Sequence, residues 1–302
     1  MSNSYRENDI VIRGDKGKVA TARIVSYIFL GFVTFLSLFS FYILLVNATR
    51  SNSQIMSGFS LIPSTHFIDN IKTVFFGSSE GSSSTLSVPV LNGLFNSFLV
   101  AATSCILTTY FSAMTAYGIH VYDFKGKKVA FNFILIVMMI PTQISAVGFV
   151  QMVRNVHLNN TFWPLIVPAI AAPSVFFYMK QYIESSLPLE VIEAARVDGS
   201  NEFRTFNTIA LPMLKPAMAV QLIFAFVASW NNLFTPALVL DTKERSTLPI
   251  LLSLVRSDLN SQRGDYGAVY MLILIAIVPV VVVYVFLSRN IVEGVALGAV
   301  KG

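Results

Sequence analysis

The sequence of 302 residues is short of charge: Asp, Glu, Lys and Arg together make up 12% of it. A soluble domain usually carries about 25%, so a water-soluble globule is excluded as the main class. Cysteine is nearly missing as well. The lone Cys105 rules out an intrachain disulfide, and three scattered histidines offer no metal-ligand spacing. No GxxxxGK[ST] run is present, so no phosphate-cradling nucleotide loop is expected. The excess of 21 Lys and Arg over 16 Asp and Glu is too small to suggest nucleic acid. Acidic groups are also scarce in the middle of the apolar runs, which argues against carriage coupled to protons or sodium.

What the chain has instead is apolar length, with 54% hydrophobic residues and a mean hydropathy of +0.66. Uncharged stretches run from Arg23 to Arg50, Glu80 to Asp123, Lys128 to Arg154, Arg154 to Lys180, Lys215 to Asp241 and Asp265 to Arg289. A helix crossing the hydrocarbon needs about 20 residues. The pattern predicts an all-α polytopic membrane protein of six transmembrane helices, near 24–46, 92–118, 129–152, 161–182, 216–239 and 267–288. Helices of a soluble core would show a polar face and seldom run so long. Pro141 is expected to kink or interrupt the third span.

A charged segment, 1–23, precedes the membrane domain at 24–288, and a tail at 289–302 follows it; no cleaved leader is expected at this start. With both termini inside, the inner segments hold about twice the Lys and Arg of the outer ones, which predicts cytoplasmic N- and C-termini. In the outer segment 47–91, the run FSLIPSTHFIDNIKTVFF from Phe59 is expected to form one short interfacial helix, and 77–87 a flexible Ser-rich connector. The other outer segment, 240–266, reads as a partly buried helix or re-entrant piece with Arg256 and Asp258 facing water. Plain loop packing is the alternative for both.

The loop 185–215 breaks the membrane pattern. Pro188 suits a first helical turn, and a helix to Val197 would set Glu190, Ala194 and Val197 on one side. Small Ala194 and Ala195 permit close approach to another surface. Gly199 is expected to end the helix at positive φ, with Ser200 capping the next turn. From physics alone this is an interfacial helix with a docking face, or an amphipathic loop on lipid headgroups.

The run EAARVDGSNEFRTFNTIALPMLKP resembles the signature loop of the ABC-importer permease family. The matching positions are Glu193, Ala194, Ala195, Gly199, Ile209, Leu211 and Pro212. Asp198, the Lys215-Pro216 pair, the Trp230-Asn231 pair with Phe234 and Pro236, and the terminal GVALGAVKG are similar to the carbohydrate-uptake branch. Within it, the chain looks like the second permease of maltose-type importers. The resemblance implies a cytoplasmic coupling helix between helices 4 and 5, docked in the cleft of an ATPase subunit through Glu193, Ala194, Ala195 and Asp198. Gly298, Lys301 and Gly302 of the tail are expected at the same interface. It further implies a homologous second permease, two ABC ATPases that use ATP and Mg2+, and an extracytoplasmic solute-binding protein. The location implied is the inner membrane of a prokaryote, surrounded by lipid. No catalytic residue, cofactor or metal is expected in this chain, and its substrate would be a sugar, a di- or oligosaccharide.

A neutral sugar needs an uncharged but hydrogen-bonding path. Candidates are Asn96, Ser97, Thr103, Ser104, Thr108 and Thr109 in the second span, and Asn132, Thr142, Gln143 and Ser145 in the third. Ser174 and Tyr178 follow in the fourth, and Gln221, Ser229, Trp230, Asn231 and Asn232 in the fifth. Helix–helix packing is the competing role for such residues. Trp230 beside two carboxamides, Asn231 and Asn232, is the strongest cluster, because an aromatic face suits a sugar ring. The remaining readings are a permease of the same architecture for a non-sugar solute and, less favoured, a secondary carrier.

Overall fold

The computed structural model describes residues 3–77, 89–260 and 264–299, with side chains described over 23–77, 89–259 and 264–288. No strand occurs among them. Helix α1 spans Asn3–Ala48, followed by α2 (Asn52–Met56) and α3 (Phe67–Phe76). The long α4 (Val90–Val121) leads to α5 (Lys127–Met138) and α6 (Ala146–Asn155). Then come α7 (Trp163–Ile166), a 3-10 turn at Val167–Ile170, and α8 (Pro173–Ser186). Short helices α9 (Leu189–Val197) and α10 (Glu202–Thr205) precede a π turn at Phe206–Ala210 and α11 (Leu211–Met213). The remaining helices are α12 (Lys215–Trp230), α13 (Phe234–Val239), α14 (Leu248–Asn260) and α15 (Tyr266–Ala299).

Among the described residues, four stretches are long and apolar enough to cross a membrane: Arg23–Ala48, Val90–Val121, Trp163–Ser186 and Tyr266–Ser288. A fifth exists if Glu202–Met213 and Lys215–Trp230, bent by 83°, count as one span. The expected third span is two helices of 12 and 10 residues, each too short by itself. Pro141 lies in the break between them, where its ring and missing N–H stop the helical ladder. The fifth span also ends sooner than 239. Asn231 caps α12, and a separate α13 follows.

One compact unit comprises residues 1–71 and 266–274. Its centre is Arg50, which is buried and donates to Asn47 Oδ1 at 3.3 Å and to the carbonyls of Gln54 and Gly58. Buried Asn70 donates to Ala48 O at 2.8 Å and Arg50 O at 3.0 Å. In the run from Phe59 one short helix forms, α3, and α2 precedes it. Helix α2 starts at a capping box in which Ser51 and Gln54 each satisfy the other's backbone N–H. Of the Ser-rich connector, 78–88 lie outside the described residues.

The second unit comprises 72–265 and 275–302. Its axis is α4, packed against α8 and α12. Ala113 and Ala116 on α4, both fully buried, let Phe176, Met179 and Ile183 of α8 approach closely. Ile192 of α9 and Phe206, Ala210 and Leu214 join the same cluster. The 185–215 segment is therefore seated on the helix pair that carries the apolar core. In the 240–266 segment α14 forms, with Arg256 and Asp258 exposed.

Candidate functional site

Helix α9 begins one residue later than Pro188, which serves as its N-cap with ψ 138°. Burial then sorts its residues by helical face. Ile192 and Ala195 turn into the core, while Glu190, Glu193, Ala194 and Val197 are exposed. The two adjacent alanines thus do different things: Ala195 packs inward and Ala194 faces out. Gly199 adopts φ +79°, and a Cβ placed there would meet nothing within 4 Å. Its constraint is therefore backbone conformation alone. The next helix is capped by Asn201, not by Ser200, through Oδ1 accepting from Arg204 N–H at 2.9 Å. Ser200 instead accepts from the Thr205 hydroxyl at 2.9 Å.

Polar contacts tie this segment to α4. Arg196 Nε donates to Glu202 Oε1 at 2.8 Å, and the Tyr117 hydroxyl donates to Glu202 Oε2 at 3.4 Å. The Arg196 guanidinium sits 5.5 Å from the Tyr122 ring centroid. This neighbourhood holds the Glu202 carboxyl below the usual carboxylate range, chiefly through the hydrogen bond from Arg196. Phe206 lies 5.7 Å from Tyr110 and 5.2 Å from Tyr117 between ring centroids. Ile209 lies in the π turn, Leu211 packs partly against the core and Pro212 is exposed. Such π turns recur at functional positions because they re-aim the following side chains. None of Tyr117, Tyr122 or Phe206 stood out in the sequence, since an aromatic at a span end is ordinary.

Above this segment α4, α5, α8 and α12 border a cavity of about 1100 Å³. No Asp, Glu, Lys, Arg or His lines it. Ser97, Ser104, Thr108, Thr142, Ser145, Ser174, Ser229 and Asn232, all expected on the path, do line it. Ser112, Thr115, Thr235 and Thr247 line it too and were missed. Single hydroxyls in an apolar run carry no positional signal that separates lining from packing.

Other expected residues are placed elsewhere. Trp230 is 3% exposed, stacks on Phe226 at 5.7 Å and donates from Nε1 to Ala276 O at 3.1 Å. It is packing, and the cavity lining does not include it or Asn231. Asn96 is buried and donates from Nδ2 to Glu244 O at 2.9 Å and Ser246 O at 3.0 Å, tying the segment before α14 to α4. Gln143 and Tyr178 are exposed outside the cavity. Thr103, Thr109, Asn132 and Gln221 are likewise not in the lining. Gly298 falls at the end of α15 beyond the described side chains, and Lys301 and Gly302 lie outside the described residues.

Among the described residues no group of His, Cys, Asp and Glu is arranged to hold a metal ion. A cavity lined without charge lies beside an amphipathic segment, and known proteins resemble the chain in sequence and in fold. A family profile described as the inner membrane component of binding-protein-dependent transport systems matches residues 110–294. The Bacillus subtilis arabinooligosaccharides transport system permease protein AraQ is 31% identical over 283 residues, covering 93% of this chain and 96% of that protein. The lactose transport system permease protein LacG of Rhizobium radiobacter is 28% identical over 278 residues, covering 92% and 96%. The solved structure of a bacterial ABC transporter that imports the acidic polysaccharide alginate has a chain with the same fold. Its TM-score is 0.72 at 18% identity, covering 88% of this chain and 95% of that one. With most of its length matched in sequence and in fold, the chain belongs to the binding-protein-dependent transport system inner membrane component family, the permease subunits of ABC importers.

Proposed function

We propose that this permease carries a neutral sugar, a di- or oligosaccharide, across the inner membrane. The observation behind this is the cavity, which has many hydroxyls and phenylalanine rings but no charged side chain. An anionic solute would need fixed cations to replace its hydration. A sugar needs donors, acceptors and apolar faces instead. Two permease relatives, named for arabinooligosaccharides and lactose, support this reading, whereas the alginate importer at 18% identity shares the fold alone.

The broken third span fits a six-span reading. Irregular backbone at membrane depth is tolerated where it lines a cavity, and Thr142 and Ser145 of the 139–145 break do so. Six spans and the Lys and Arg bias support a cytoplasmic location for both termini and for the 185–215 segment. There α9 serves as the coupling helix. Glu193, Ala194 and Asp198 are exposed for an ATPase subunit, while Ile192 and Ala195 anchor the helix to the core. The complete importer pairs this chain with a homologous permease, two ATPases that bind ATP and Mg2+, and an extracytoplasmic binding protein. The chain itself supplies no nucleotide site.

Uptake by the reconstituted complex tests this. Lactose, maltotriose and arabinotriose should compete for transport far better than sn-glycerol 3-phosphate or a uronate oligosaccharide. Preference for the charged solutes over every neutral sugar would overturn the assignment.

A further inference from the structure

Five hydroxyl residues on α4 line the cavity: Ser97, Ser104, Thr108, Ser112 and Thr115. Their spacings of seven, four, four and three put them on one face of the helix. From Ser97 to Ser112 the stripe runs about 22 Å at 1.5 Å per residue. Four of the five are committed to local partners. Ser97 Oγ accepts from Leu248 N–H at 2.7 Å, and Ser104 donates to Leu165 O at 3.4 Å. Thr108 donates to Ala169 O at 2.6 Å, and Thr115 to Phe111 O at 2.8 Å.

Ser112 differs. It is 2% exposed, lines the cavity, and its hydroxyl has no hydrogen-bond partner. Thr247, adjoining Leu248 whose N–H binds Ser97, is 3% exposed, lines the cavity and is likewise unpartnered. A buried hydroxyl without a partner is unfavourable, and proteins keep few of them without reason. Here both residues border the same passage, each with its hydroxyl oxygen covered by the wall, so pairing with a ligand requires a rotamer change that brings the oxygen out. Thr247 is beside Ser97 at one end of the stripe, and Ser112 is fifteen residues further along α4.

We propose that Ser112 and Thr247 bind substrate directly, as two separated points on a hydroxyl track that passes a linear neutral oligosaccharide along α4. This deepens the sugar assignment and rests on it. Each hydroxyl both donates and accepts, so it can pair with a sugar hydroxyl in either sense. A row of such weak, equivalent sites lets a ligand enter and also leave, which a single strong site would prevent. The separation along the track requires several sugar rings for both points to be engaged together.

The test uses the complete reconstituted importer with lactose, maltotriose and arabinotriose as probes. Ser112→Ala and Thr247→Val should each raise the transport KM about three- to tenfold, the loss of one neutral hydrogen bond, with kcat little changed. Thr109→Ala is the control: Thr109 is also buried and unpartnered but does not line the cavity, so its KM should be unchanged. With Cys105→Ser in place, Ser112→Cys should react with a small charged methanethiosulfonate and be protected by the transported sugar. Wild-type KM in both cavity variants, or no labelling at 112 in any state, would overturn the track while leaving sugar transport standing. Failure of the unaltered importer to carry any of the three sugars would overturn the sugar reading and the track together.

Discussion

Arg196 and Glu202 are joined at 2.8 Å across the Gly199 turn, which locks the end of α9 to the start of α10. Glu202 also receives the Tyr117 hydroxyl, so the pair links the exposed helix to α4, which lines the cavity. Phe206 adds an apolar contact between this segment and α4, its ring 5.2 Å from that of Tyr117.

Loss of that link should uncouple rather than unfold. Glu202→Gln removes the charge but keeps the shape, and should lower substrate-stimulated ATP hydrolysis while the complex still assembles. Ionised Glu202 is favoured by Arg196, and its folded pKa lies below the unfolded one. Its contribution is therefore complete above about pH 4.3, the ordinary glutamate value, and is lost as pH falls through the lower folded value. Thermal melts of wild type and Glu202→Gln should differ at pH 7 and converge in that acid range.

Gly199 separates backbone strain from packing. Gly199→Val forces a β-branched residue to positive φ at a cost of about 1–3 kcal/mol, although no neighbour would clash. Gly199→Asn should retain most coupling, since Asn tolerates the left-handed region. Equal loss in both variants, read as sugar-stimulated ATPase activity, would mean that something other than φ matters at this turn.

Glu193 is exposed on α9, away from the core contacts of Ile192 and Ala195. Glu193→Ala should leave membrane insertion and the melting of the isolated permease pair unchanged, yet weaken co-purification of the ATPase subunits. A pull-down at two salt concentrations checks this.

Asn96 should behave as a structural residue. Asn96→Leu strands the buried carbonyl of Ser246, at about 1–3 kcal/mol, and also loses the bond to the carbonyl of the exposed Glu244. Reduced assembly with equal loss of uptake for all sugars is expected, with no shift in sugar preference. Trp230→Ala should show the same uniform loss, because its ring and Nε1–H are spent on Phe226 and Ala276.

Gly267 is enclosed: a Cβ would lie 2.6 Å from Arg50 O and 2.8 Å from Asn70 Oδ1. Gly267→Ala therefore pushes on backbone and on a bonded carboxamide, and should destabilise by about 1–3 kcal/mol. A lowered melting temperature of the purified complex, with KM unaltered, is the expected result.

The sequence by itself determined the class, the apolar segments and the special turn. Charge spacing marks where apolar helices run, and the EAA-x3-G run marks the break in them. Gly199 was readable because only one residue type adopts positive φ without steric cost. Pro141 was readable because its missing N–H and ring act locally. Tertiary structure alone decided which polar side chains share the cavity. Asn232 and Trp230 are two residues apart, yet one lines it and the other is buried on α15. Ser112 and Thr109 are three apart with the same chemistry, and only Ser112 lines the cavity. Helical phase relative to neighbours sets that choice, and neighbours arrive from segments more than a hundred residues away, as Leu248 does on Ser97. Local chemistry is written residue by residue, whereas the face a residue presents depends on what packs against the others.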